Sequence, residues 1–190
     1  EEAQKTVELF RPFFEDQNVL KIAHNLKYDY KVLKNYNIEV EGKLFDTMVA
    51  HYLLNPDGRH GMDYLSEMYL DYKPVSIESL IGKKGKNQLT LREVDVQTQT
   101  DYAAEDADVT FQLYELFAPQ LAKENLEDLF YNVEMPLMKV LAKIELTGVK
   151  LDNNWLAQES KDLENDLKIL ESKIFELSGE EFNMNSPKQL

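Results

Sequence analysis

At 190 residues the chain can bury a sizeable core in one domain or one and a half, and its net charge of −14 is a poor footprint for general polyanion binding, which needs clustered Lys and Arg. With no cysteine there is neither a disulfide framework nor a Cys-based metal site, which suits a reducing compartment. No apolar run approaches the roughly 18 residues of a membrane helix, and the acidic start EEAQKT is unlike a secretory signal, so a soluble, cytoplasmic protein is expected.

The first predicted element is a short helix over TVELFRPFFED, residues 6–16, followed by a strand over NVLKIA, residues 18–23, that gives way to His24-Asn25. A helix over residues 26–36 comes next. NIEVEGKLFD, residues 37–46, reads as a turn and a second strand, with Asp46 capping the helix TMVAHYLL, residues 47–54. NPDGRHG breaks that helix and MDYLSEMYL, residues 62–70, resumes helical spacing. A flexible basic loop, GKKGKNQ at 82–88, and a polar stretch lead to the helix DYAAEDADVTFQLYELF, residues 101–117, which Pro119 brings near its end.

After about residue 122 the texture changes. VEMPLMKVLAKIELTG, residues 133–148, is a helix that Gly148 ends, and Asp152 can cap a long helix running to Ser178-Gly179. Leu156, Leu163, Leu167, Leu170, Ile174 and Leu177 make a narrow coiled-coil-like seam, expected to pack against an antiparallel helix. Ser186 reads as an N-cap with Pro187 as first helical residue, so both ends of the chain look cut and a fragment of a longer protein is expected. The order of elements predicts a helix-rich α/β fold with a helical C-terminal segment.

Two acids do not fit their helices. In residues 101–117, Asp101, Glu105 and Asp108 share a face with Gln112 that belongs in water, but Asp106 falls in the apolar stripe of Tyr102, Val109, Leu113, Leu116 and Phe117. In residues 26–36, Lys27, Lys31 and Lys34 line one face, while Asp29 sits among Leu26, Tyr30, Val32, Leu33 and Tyr36. A carboxylate on an apolar face is costly unless it is protonated, hydrogen-bonded or bound to a metal. Asp29 also follows a strand end, where α/β proteins place ligands. Two such acids favour a hard divalent ion such as Mg²⁺, which takes one or two carboxylates plus substrate phosphate oxygens. The spacing of His24, His51 and His60 matches no zinc pattern, and all three read as structural or substrate-facing.

NLKYD at 25–29 and YAAED at 102–106 resemble the second and third motifs of the DEDDy class of 3′-to-5′ exonucleases. Together with FDTM, GRHGMDYL, GKKGKNQLT, EMPL and TGVKLD, in that order along the chain, they resemble the bacterial DNA polymerase I family, the family A polymerases, from about residue 18 to the last. The resemblance implies a ribonuclease H-like exonuclease fold over residues 1–122 and the start of a polymerase domain, at the base of its thumb, over 123–190. It implies that Asp29 and Asp106 are catalytic metal ligands in a two-Mg²⁺ site and that Tyr102 orients the attacking water. It also implies that Asn25, Arg59 and Gln88 face a single-stranded DNA 3′ end, that Lys83, Lys84 and Lys86 hold phosphates, and that primer-template duplex lies at the thumb.

The family's first motif, a D-x-E on an early strand, does not occur before residue 18. The expectation is therefore a truncated sheet with an open edge, able to self-associate, in a chain that alone neither cleaves nor polymerises DNA. The competing expectation is a non-catalytic exonuclease-fold scaffold supporting a polymerase domain.

Overall fold

The computed structural model describes residues 2–188 and divides into two compact units, Glu1–Thr147 and Gly148–Leu190. In the first unit the expected opening helix is two, α1 (Glu2–Glu8) and α2 (Arg11–Glu15), the second with Pro12 in its first turn, where a missing N–H costs nothing. The expected strands shrink to β1 (Lys21–Ala23) and β2 (Leu44–Asp46). The Asp16 side chain accepts from the Asn18 N–H at 2.8 Å and its carbonyl from the Val19 N–H at 3.4 Å, so these two N–H groups serve a turn and not a ladder.

Between the strands lies α3 (Leu26–Lys34), which stops short of residue 36 because Asn37 turns left-handed (φ 58°) and the Ile38 N–H closes back on the Leu33 carbonyl. The strands pair in parallel with Ala23 opposite Asp46, so both end at the same level and each feeds a helix: α3 after β1 and α4 (Thr47–Leu54) after β2. Among the described residues this is a two-stranded sheet, and β1 borders a cleft of about 330 Å³ lined also by Phe13, Phe14, Val32 and Leu33 and by no residue of β2.

Asp46 governs this junction. Its side chain is 2% exposed and accepts from Met48 N–H (2.9 Å) and Val49 N–H (3.4 Å) at the start of α4. It also accepts from Asn25 N–H (3.1 Å) and Leu26 N–H (2.8 Å) at the start of α3. One buried carboxylate thus caps two helices, complementing the positive ends of both dipoles.

Helices α5 (Met62–Leu70) and α6 (Ile77–Ile81) and a 3₁₀ turn (Leu91–Glu93) lead to the longest element, α7 (Val96–Lys123). It begins earlier than the apolar stripe suggests because Asp95 caps it, accepting from Thr98 N–H at 3.0 Å, and it runs through Pro119 by one further turn. A single turn, α8 (Glu127–Leu129), widens into a π-helical turn (Phe130–Glu134) and continues as α9 (Met135–Thr147). Phe45, wholly buried on β2, centres the core, edge-on to Tyr114 at 4.8 Å and beside Phe130 at 4.7 Å. Leu65, Val109, Leu113, Phe117 and Ala142 close it from α5, α7 and α9. Helix α9 also meets the lysine face of α3, with Glu145 pairing Lys27 at 2.6 Å and Lys31 at 2.5 Å.

The second unit is α10 (Asn153–Ser178), capped by Asp152, which accepts from Asn154 and Trp155 N–H, and ended by Gly179 at φ 79°. The seam from Leu156 to Leu177 is solvent-exposed along its length. Ser186 and Pro187 lie in a turn region, and the helix expected to start there falls largely outside the described residues. Among those residues no helix is long and apolar enough to cross a membrane.

Replacing Asp46 removes two caps and leaves buried N–H groups unpaired, so D46A is expected to lose about 3 kcal/mol or more of unfolding free energy in urea titration, with D46N losing less because it keeps one acceptor oxygen.

Candidate functional site

A cleft of about 400 Å³ lies beyond the end of β1, lined among others by Ala23, His24, Asp29, Met62, Asp106 and Thr110. Asp29 reaches it one turn into α3, whose start is fixed by Asp46, and Asp106 reaches it from the middle turns of α7. The two acids that the helical projection singles out therefore share one cavity.

Both are half-buried, and both carboxyls are pushed above their ordinary value of 3.8. For Asp29 the larger cause is burial and the lesser the negative charge of Asp46. For Asp106 burial again dominates, opposed by a hydrogen bond from Tyr102 and assisted by the charges of Asp63 and Glu105. Tyr102, one turn before Asp106, is pushed to about 12, first by burial and then by the Asp106 charge, so its hydroxyl stays protonated and can donate.

His24 also lines the cleft. Its Nδ1 lies 2.8 Å from Thr47 Oγ1, and its Nε2 is buried without a hydrogen-bond partner among the described residues. Burial holds its pKa below the ordinary 6.5, so the ring is neutral. His51 is wholly buried, its Nδ1 2.7 Å from His60 Nδ1 and its Nε2 3.1 Å from the Tyr69 hydroxyl. This network pins the 55–61 loop to α4 and α5, a structural role for two of the three histidines.

Tyr102 and the other sequence-predicted residues do not line the cleft. Asn25 is exposed in a left-handed conformation (φ 64°) at the start of α3, and Arg59 is exposed on the 55–61 loop. Lys83, Lys84, Lys86 and Gln88 are exposed, with Gln88 Nε2 donating to the Gly82 carbonyl at 3.3 Å. Projection places Glu105 in water, yet it is half-buried and hydrogen-bonded to the 71–76 segment. Its partners are distant in sequence, and no periodic signal marks them.

Two carboxylates facing one cavity, with no ion pair to a cationic side chain among the described residues, form an oxygen donor set that suits a hard divalent cation. They do not complete a site by themselves: among the described residues there is no cluster of three or more His, Asp or Glu able to hold a metal.

A family model described as 3′-5′ exonuclease matches residues 1–122. The chain is 43% identical over 181 residues to DNA polymerase I of Rhizobium leguminosarum, covering 95% of this chain and 18% of that protein. It spans about a fifth of the length of the curated relatives it matches. Among solved structures it is similar to the POL domain of Pol1 from M. smegmatis in complex with DNA primer-template and dNTP (TM-score 0.70, 23% identity, 95% of this chain and 28% of that one). It is also similar to Brucella melitensis NrnC bound to pGG (TM-score 0.57, 22% identity, 71% and 62% covered). These likenesses agree with the helix-rich, ribonuclease H-like fold expected from the sequence.

A carboxyl whose folded pKa is raised adds stability below its unfolded pKa and loses it as pH rises through the folded value. Asp29 and Asp106 therefore strain the metal-free protein at neutral pH. D29N and D106N are each expected to melt at a higher temperature than wild type at pH 7 in EDTA, and the gain should vanish below the ordinary carboxyl value of 3.8.

Proposed function

Because the chain belongs to the 3′-5′ exonuclease family, we propose that it forms the rear of a proofreading domain, residues 1–122, joined to the start of a polymerase domain, residues 123–190, in a DNA polymerase I that serves replication and repair in the cytoplasm. The observation that carries this reading is the convergence of Asp29 and Asp106, from two helices far apart in sequence, on one cleft at a strand end. The end of the family match at residue 122 supports the boundary.

The reaction is hydrolysis of the terminal phosphodiester of a single-stranded 3′ end. Water attacks phosphorus, the bond to the 3′ oxygen breaks, that oxygen takes a proton, and a nucleoside 5′-monophosphate leaves. Asp29 and Asp106 would hold divalent cations of the Mg²⁺ kind, two in the complete site, which supply activation of the water and charge stabilisation at the leaving oxygen. Tyr102, protonated at working pH, donates its one hydroxyl proton to Asp106, and its hydroxyl oxygen, held in place by that bond, accepts a hydrogen bond from the attacking water and orients it. Asn25 and Arg59 contact the strand, and the lysine loop holds its phosphates. The D-x-E pair of the first motif is not among these residues. A complete proofreading site would draw it from further strands beside β1.

The test is release of nucleotides from a 3′-labelled single-stranded oligonucleotide in Mg²⁺ by a polypeptide extended upstream to include those strands. D29A and D106A are expected to lower the rate by at least about 10²–10³-fold and Y102F by a smaller factor. A folded, extended chain that releases nothing would make this domain a scaffold and overturn the reading.

A further inference from the structure

Both carboxylate oxygens of Glu105 are engaged: Oε1 accepts from the Tyr72 hydroxyl at 2.5 Å and Oε2 from the Val75 N–H at 2.8 Å. The bonds tie the strap at 71–76, which leaves α5, to the turn of α7 that also presents Tyr102 and Asp106. The Tyr72 hydroxyl is pushed up chiefly by this hydrogen bond, so it remains the donor.

From the strap the chain passes through α6, the exposed loop bearing Lys83, Lys84 and Lys86, and the 3₁₀ turn, then re-enters α7 at Val96. The exit is fastened to α7 as well, by the Asp95 cap and by Gln99 Nε2 donating to the Val94 carbonyl at 2.7 Å. Entry and exit are thus bound to one helix within about 14 Å at 1.5 Å per residue. Inside the excursion the side-chain hydrogen bonds are local: the Ser76 cap, Gln88 on Gly82, and the Thr90–Glu93 box. Residues 82–93 are exposed throughout, and the loop bearing the lysines is closed on α6 by the Leu89 N–H donating to the Ile81 carbonyl at 2.9 Å, so the half-buried Ile77, Leu80 and Ile81 and the two anchors set where the lysines lie.

We propose that Glu105 is a positioning residue that latches this basic excursion beside the Asp29–Asp106 cleft, so that its lysines grip the phosphates of the strand entering it. The inference rests on the exonuclease reading and concerns a residue that touches no substrate. In a chain of net charge −14 an untethered lysine loop gives little guidance to a polyanion, whereas a tethered one makes a local attractive patch at the site of chemistry.

The experiment uses the full-length polypeptide and compares E105A, E105Q and Y72F with wild type and D106A. It measures kcat and KM on a single-stranded oligonucleotide across a salt series, and amide hydrogen exchange over residues 71–90. E105A is expected to raise KM about tenfold with kcat within about twofold, and to flatten the dependence of log KM on log salt by about 2, as three lysine contacts are lost. E105Q and Y72F, which each keep part of the latch, should fall between E105A and wild type, and exchange over 71–90 should quicken in E105A but not in D106A.

If D106A is inactive while E105A keeps the wild-type KM, salt slope and exchange, the latch is overturned and the exonuclease reading stands. Loss of kcat at unchanged KM in E105A also overturns it. If D106A retains full activity, the reading itself fails. The positioning role is then decided by exchange and by oligonucleotide affinity, and E105A matching wild type in both refutes it.

Discussion

The architecture hangs on a single buried carboxylate at the end of a three-residue strand. A pair of strands this short has no independent stability, and six residues of ladder cannot hold two helices at a defined angle. Asp46 does so instead, because the parallel register brings Ala23 level with it and lets its oxygens reach the N–H groups of both following helices. The geometry demands a tight departure from β1, met by Asn25 in the left-handed region that Asn tolerates better than most residues. Phe45, its neighbour, then anchors the strand in an aromatic cluster, so capping and packing act on adjacent residues.

The same arrangement explains why Asp29 is poised. Its position on α3 is set by the Asp46 cap, and the cap's negative charge adds to burial in raising its carboxyl pKa. Asp106 is raised by a similar combination, with Asp63 and Glu105 as the like charges. A fold optimised only for stability has no use for two half-buried acids facing one cavity without a cation. Their cost is offset once positive charge enters the cleft, which is the physical content of a binding site whose ligand contributes to its stability.

Much of this was legible in the sequence and some was not. Helices α4 and α5 fall on the residues their apolar spacing and flanking breakers specify, and α10 begins and ends at the cap and glycine that mark it. The inward acids were visible because a helix face is a local property, three to four residues deep. Short apolar runs carry no signal for where a ladder stops, which for β1 depends on the turn at Asp16. The polar first turn of α7 has no apolar stripe to announce it, only the Asp95 cap. For the complementary reason helical projection assigns Glu105 to water: its partners at Tyr72 and Val75 come from a segment with no helical or strand period. The cap of Asp46 on α4 was readable, but its cap on α3 follows from strand register, a long-range fact.

Helix α7 carries both the chemistry-bearing acid and its supports. Over a few consecutive turns it presents the Glu105 latch, the Asp106 carboxylate with its Tyr102 partner, and the Val109, Leu113 and Phe117 stripe that anchors the helix in the core. A rigid helix transmits position with little loss, since each residue is fixed by its neighbours' hydrogen bonds and by a packed stripe beneath. Placing the acid, its aromatic partner and the anchor of the basic excursion on one such element fixes their spacing without requiring the exposed loop to be rigid. The loop then keeps the freedom to follow a flexible single strand, while its attachment points stay registered to the cleft. In an acidic protein, attraction for a polyanion must be concentrated rather than general, and a tethered loop on a buried ruler is one physical way to concentrate it.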